Sequence, residues 1–88
     1  MIKDLEPVRI YELSIYEATD GDPLERNKLF WTYESASREL EKEKKKFLEE
    51  IGKKEDAKGI KEDEKGSFVY EDTFHYFVML IIEKEIND

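Results

Sequence analysis

The chain has 88 residues, a formal net charge of −8 and no cysteine, and 43% of its residues are charged against 39% that are hydrophobic. A chain of this length forms one domain, spanning 1–88, and buries only about 60–65% of its unfolded surface, which argues against a large enzyme with a deep pocket. Without cysteine there are no disulfides, thiolate nucleophiles or cysteine-ligated metal centres, and a reducing compartment is favoured.

No targeting or membrane segment is expected. The stretch Met1 to Pro7 has neither the basic start nor the apolar core of a secretory signal. The longest nearly continuous apolar stretch, Phe74 to Ile82, is about half of the roughly 20 residues that span a bilayer. We therefore predict a cytoplasmic protein that does not contact membranes.

The negative charge is concentrated at the two ends of the chain. Residues 1–31 carry a net charge of −3 and residues 67–88 a net charge of −4, whereas residues 32–66 sum to −1. The one basic cluster, Lys44 to Lys46, is flanked by glutamates. Because nucleic-acid binding depends on clustered lysine and arginine, we expect no direct binding to nucleic acid.

The first half of the chain predicts two strands. Val8 to Ala18 is rich in β-branched and aromatic residues with an apolar face at every second position, which is typical of a strand. Thr19 to Pro23 has the composition of a turn. Lys28 to Trp31 is then a short returning strand.

A long helix is predicted to follow. Thr32 is its N-cap, and Gly52 supplies the left-handed residue that ends it. Glu43 and Lys44 interrupt the apolar stripe of this helix, and we expect their stems to pack while their charged groups stay in water.

The second half predicts a mobile loop and a hairpin. The charged stretch at 53–66 has one large apolar residue, Ile60, and reads as a mobile loop, although its many lysines and glutamates would also suit an extension of the helix. Ser67 to Tyr70 and Phe74 to Ile86 are predicted to pair across a three-residue acidic turn.

These elements predict an α+β fold: a four-stranded antiparallel sheet in the chain order β-β-α-β-β, with one long helix packed on one face. The last strand is apolar on both faces, whereas one helix covers only one. The second face must then be covered by the charged loop, a second copy of the chain or a partner protein. We expect the uncovered face to carry His75, Phe77, Met79 and Ile81.

Little in the sequence indicates catalysis. His75 is the only histidine, and its nearest acids lie in a turn, so it reads as a packed or peripheral residue and not as a general base. Asp20, Gly21 and Asp22 lack the remaining ligands of a calcium loop. We predict no enzyme activity, no cofactor and no metal site.

The sequence offers candidates for a protein interface. Trp31 is an aromatic residue of the kind enriched at binding hot spots, and the acidic turn could mimic phosphates toward a basic groove. The predicted interface residues are Trp31, Glu71, Asp72, His75, Phe77, Met79 and Ile81.

The whole chain resembles, in general style, small proteins of bacteriophages and mobile elements. The features that carry the resemblance are the strand V-R-I-Y-E-L-S-I-Y-E, the segment F-W-T-Y-E-S-A-S-R-E-L that leads into a helix rich in lysine and glutamate, and the closing aromatic hairpin. Such proteins include anti-CRISPR inhibitors of host defence. The resemblance implies an inhibitor that acts by binding.

Two functions are therefore considered. The first is a small acidic, non-enzymatic protein-binding module, an inhibitor that occupies the basic or nucleic-acid-binding surface of a protein partner. The alternative is a structural or regulatory homodimer, in which the uncovered faces join and the charge serves only solubility.

Overall fold

The computed structural model describes residues 8–19 and 23–86, which form one helix and one antiparallel sheet. The elements in chain order are β1 (Val8–Thr19), β2 (Leu24–Phe30), α1 (Tyr33–Glu50), β3 (Ile60–Glu64), β4 (Ser67–Glu71) and β5 (His75–Ile86). The sheet order is β2-β1-β5-β4-β3, so the two longest strands, β1 and β5, adjoin near its centre. The predicted α+β class with one helix is confirmed. The N-terminal stretch 1–7 and residues 20–22 of the predicted turn lie outside the described residues.

The sheet has five strands, not the predicted four, because part of the predicted loop at 53–66 is strand β3. This strand contributes one apolar residue, Ile60, to the margin of the core, and its other side chains are exposed. Backbone pairing with β4 across a turn at Gly66, and the bond from Lys44 to Asp63, hold it in place. Hydrophobic patterning does not detect a strand that is stabilised in this way.

The predicted ends of the helix are confirmed. The Thr32 hydroxyl accepts a hydrogen bond of 3.1 Å from the amide of Ser35, which satisfies one of the free donors of the first turn. At the other end Gly52 has φ of 70°, and the amides of Gly52 and Lys53 donate to carbonyls of the last turn. This is the Schellman pattern, in which a glycine in the left-handed region ends the helix.

The core lies between α1 and the face of the sheet that it covers, here called the helix face. The Phe47 ring stacks on Phe77 with a centroid separation of 4.0 Å and meets the edge of Tyr70 at 5.2 Å. The other buried apolar residues are Leu13, Ile15, Ala36, Leu40, Leu48, Phe68 and Met79.

Two consecutive charged residues of α1 hold opposite edges of the sheet. Glu43 accepts hydrogen bonds from Arg26 and Lys28 of β2 at 3.2 and 2.9 Å, and Lys44 donates to Asp63 of β3 at 3.2 Å. The expectation that their charged groups stay in water is wrong, because Glu43 and Lys44 are only 7% and 8% exposed. Burial opposes ionisation of Glu43, but the two cations outweigh it and lower its pKa.

The two faces of β5 are exchanged relative to the prediction from the sequence. Phe77 and Met79, expected on the uncovered face, are 1% and 0% exposed in the core. The hairpin register explains the difference: Glu71 pairs with Tyr76, so four residues lie between the paired positions, and Tyr70 faces Phe77. A shift of one residue in register turns every side chain of a strand to the other face.

The corrected faces predict a difference in stability between two substitutions in β5. Phe77→Ala removes a ring buried against Phe47 and should lower the free energy of unfolding by about 3–5 kcal/mol. Leu80→Ala, at a side chain that is 46% exposed on the other face, should lower it by about 1 kcal/mol or less. Urea denaturation measures both, and a larger loss for Leu80→Ala would contradict the assignment.

Candidate functional site

The face of the sheet opposite α1, here called the outer face, has no other described element packed on it. Its centre is apolar and partly open to solvent, with Tyr76, Leu80 and Ile82 exposed to 40%, 46% and 37%. The rings of Tyr16 and Tyr76 meet edge to face at 5.9 Å. The apolar centre consists of Tyr16, Val69, Tyr76, Val78, Leu80 and Ile82.

The strand registers place glutamates at both edges of this apolar centre. One row across all five strands reads Glu25, Tyr16, Val78, Val69 and Glu62. Directly paired residues share a face of the sheet. The row therefore has a carboxylate at each end and three apolar or aromatic side chains between them.

Two further carboxylates, Glu64 of β3 and Glu71 of β4, also lie on this face. Glu25, Glu62, Glu64 and Glu71 are here called the acidic edges. All four residues are exposed, and none forms an ion pair with another residue in the described part of the chain. Lys84, a base on the outer face, is bound to Glu12 at 2.9 Å. The outer face thus combines an apolar centre with uncompensated negative charge at its sides.

A shallow apolar groove lies at one end of the outer face. Trp31 is 75% exposed and lines this groove of about 230 Å³, and the other lining residues are Ile10, Leu29, Phe30 and Ile86. Trp31 is predicted from the sequence as an interface anchor, and the structure leaves its ring accessible at this end of the outer face.

The structure separates the residues predicted as an interface. Trp31 and Glu71 are exposed at the outer face. The residues expected on the uncovered face lie instead on the helix face: Phe77 and Met79 are in the core, Ile81 packs against it, and the ring of His75 lies 6.3 Å from that of Phe47. The sequence analysis recognised Tyr76, Val78, Leu80 and Ile82 as an apolar face of β5, but it placed them toward the helix and did not predict them as interface residues. It also missed Glu25 and Glu62, whose positions depend on pairings that one sequence does not reveal.

Asp72, also predicted at the interface, organises the turn between β4 and β5. Its carboxylate accepts a 2.6 Å bond from the Tyr70 hydroxyl and 2.8 Å bonds from the amides of Phe74 and His75. The ring nitrogen Nδ1 of His75 lies 3.0 Å from the same carboxylate. The charge of Asp72 is therefore used within the turn and is a poor candidate for mimicking a phosphate.

These bonds shift the pKa values of two groups. The Tyr70 hydroxyl, with the amides of Phe74 and His75, holds the pKa of Asp72 well below its usual range. Burial, together with the hydrogen bond to Asp72, raises the pKa of Tyr70 to about 12. The hydrogen bond between the neutral Tyr70 hydroxyl and the ionised Asp72 carboxylate thus stabilises both of these protonation states in the folded protein.

Two features of the described residues bear on catalysis, an acid–base pair and a cleft. Asp72 and His75 form an acid–base pair, but no serine or threonine of residues 8–19 and 23–86 is hydrogen-bonded to that ring. A cleft of about 300 Å³ beside α1 contains Arg26, which already contacts Glu17 and Glu43. No three acidic or histidine side chains in this part of the chain are grouped to hold a metal ion. Nor does the described helix have the length and apolar character to cross a membrane.

Comparisons with protein-family models, with curated proteins and with solved structures found no match to this chain.

The Asp72 turn predicts a specific dependence of stability on pH. Because the pKa of Asp72 is lowered on folding from its ordinary 3.8, its contribution is fully present above about pH 5 and is lost progressively as the pH falls further. The difference in unfolding free energy between wild type and Asp72→Asn should therefore shrink between pH 6 and pH 2.5 in urea denaturation. An Asp72→Asn difference that does not change with pH would contradict the assignment.

Proposed function

We propose that this protein is a small, non-enzymatic protein-binding module. Its outer face binds a surface of a partner protein that is apolar in the middle and bordered by basic residues. The observation that carries the proposal is the row across the sheet in which Tyr16, Val78 and Val69 lie between Glu25 and Glu62. This arrangement joins a surface for apolar contact with a charge pattern that selects its partner.

The apolar centre favours contact with another protein. Exposed apolar patches of this kind usually mark interaction sites, and aromatic residues are enriched where such interfaces are buried. Tyr76, Leu80 and Ile82 are all more than a third exposed. A partner side chain placed over them would remove apolar surface from water, which is the main favourable term in association.

The acidic edges favour a basic partner. Four exposed carboxylates without described ion pairs would meet lysine or arginine across the interface and would speed encounter with a positively charged surface. Nucleic-acid-binding proteins carry such surfaces. By occupying one, this protein would exclude the nucleic acid and act as an inhibitor.

The same charges disfavour a homodimer through the outer face. A second copy facing the first would bring its own acidic edges close to those of its partner, and like charges at an interface are costly. The apolar centre alone would favour self-association, so the oligomeric state separates the two functions. Sedimentation of the purified protein should show a monomer, and a dimer that Leu80→Glu dissociates would favour the homodimer instead.

The first prediction concerns the apolar centre. Leu80→Glu should abolish capture of the partner from a bacterial lysate, or weaken binding of the purified partner at least tenfold, since it places a charge in an apolar interface. Leu24→Glu is the matched control, because Leu24 is 54% exposed on the helix-face side of β2. Mass spectrometry identifies the captured proteins. Proteins retained equally by wild type and Leu80→Glu would contradict the proposal.

A second prediction concerns the acidic edges. The double variant Glu25→Lys with Glu62→Lys should weaken partner binding and flatten its dependence on salt, because the charges that attract the partner are reversed. The variant Glu49→Lys with Glu55→Lys makes the same change in net charge at exposed residues away from the outer face. Titration calorimetry at two salt concentrations compares them. Equal losses in both double variants would show that only net charge matters.

A further inference from the structure

The central strands extend beyond their neighbours at one end of the sheet. Pairing of β4 with β5 ends where Ser67 faces Leu80, and the amide of Ile81 donates to the carbonyl of Gly66 at 2.8 Å. From there β5 continues to Ile86 with β1 on one side. Among residues 8–19 and 23–86, no strand pairs with its other side over 82–86, and this side is here called the distal edge.

Within the described part of the chain, the backbone of the distal edge presents hydrogen-bonding groups that have no partner. Along a strand, successive residues direct their backbone groups to alternate sides. The amide of Ile81 points away from β1, and the pairing of β5 with β1 has no shift in register up to Ile86. Glu83 and Glu85 therefore direct their N–H and C=O groups to the distal edge, whereas Lys84 between them directs its own groups to β1.

We propose that the distal edge accepts an extended segment of a partner protein as an added strand. Main-chain bonds to Glu83 and Glu85 would give affinity, and side chains at alternate positions would give specificity, as in other cases of strand addition. This surface shares only Ile82 with the apolar centre of the outer face, and it does not depend on the function proposed for that face.

The side chains along the distal edge define the segment. Glu83 and Glu85 are 51% and 48% exposed on the helix-face side and share one cation, Arg9, at 3.8 Å from each. An added strand would place two side chains directly opposite these carboxylates, where lysine or arginine pairs favourably. On the other side it would meet Ile82, Lys84 and Ile86, and the two isoleucines favour apolar residues opposite them. The segment is therefore basic and apolar at defined alternate positions.

A second copy of this chain does not fit. Antiparallel pairing of two distal edges about Lys84 would place Lys84 opposite Lys84 and Glu83 opposite Glu85. Like charges directly opposite are destabilising in a sheet, and charged residues are a common means of keeping open edges from self-pairing. The charge pattern that blocks self-pairing is the pattern that admits a basic strand.

The experiment uses the full-length protein and an acetylated, amidated peptide Thr-Val-Lys-Thr-Lys-Val-Thr as the probe. A peptide with glutamate in place of both lysines is its control. NMR titration should show that the lysine peptide perturbs the amides of Glu83 and Glu85 most strongly and slows their hydrogen exchange. The glutamate peptide should bind at least tenfold more weakly.

A proline substitution tests whether backbone hydrogen bonds, and not charge alone, contribute to peptide binding. Glu83→Pro removes an N–H that points to the distal edge without breaking the pairing with β1, so the protein should stay folded and bind the lysine peptide at least tenfold more weakly. Glu83→Gln keeps that N–H and should lose less affinity. A denaturation midpoint close to wild type verifies that Glu83→Pro is folded, and if it is not, Glu85→Pro takes its place.

Three results would overturn the proposal. The amides of Glu83 and Glu85 could already resist exchange in the free protein, which would mean that another part of the chain occupies the distal edge. The lysine peptide could perturb only residues elsewhere, or a folded proline variant could bind it as well as wild type does. Leu80→Glu should leave peptide binding unchanged, so failure at the outer face and failure at the distal edge are distinguished.

Discussion

One helix has to cover one face of a five-stranded sheet, and the rest of the structure follows from that constraint. Neighbouring strands lie about 4.8 Å apart, so the outer strands are separated by about 19 Å, whereas a helix with its side chains is about 10–12 Å wide. The stacked rings of Phe47 and Phe77 occupy the middle. At the margins, Glu43 and Lys44 reach to β2 and β3 with bonded charges.

The uncovered side of the sheet is a consequence of the same constraint. Both central strands are long and alternate apolar residues on their two faces, so covering one face leaves the other partly apolar. The protein combines this apolar centre with glutamates on the flanking strands, as at Glu25 and Glu62. Under the proposed function, charge at the edges would limit non-specific association and leave the centre available to a matching partner.

The local features of the fold could be predicted from the sequence, and the pairings could not. Thr32 and Gly52 were predictable as helix ends because capping depends on the residue itself and a few neighbours. Strand β3 was not, since its bonds to β4 are backbone bonds and its side chains are mostly polar. The candidate site was predicted as an uncovered apolar face of β5, but on the side of Phe77, because both of its faces are apolar and the register decides between them.

The turn that Asp72 organises therefore has a consequence for how such a protein could change over evolutionary time. If the turn kept its four-residue length, a deletion or insertion of one residue between Glu71 and Tyr76 would exchange the two faces of β5, so that Val78 would turn toward α1 and Phe77 would turn outward. Few substitutions of surface residues could alter the exposed surface as much. In this chain the length of the turn that Asp72 organises helps to determine which side chains of β5 face the core and which face outward.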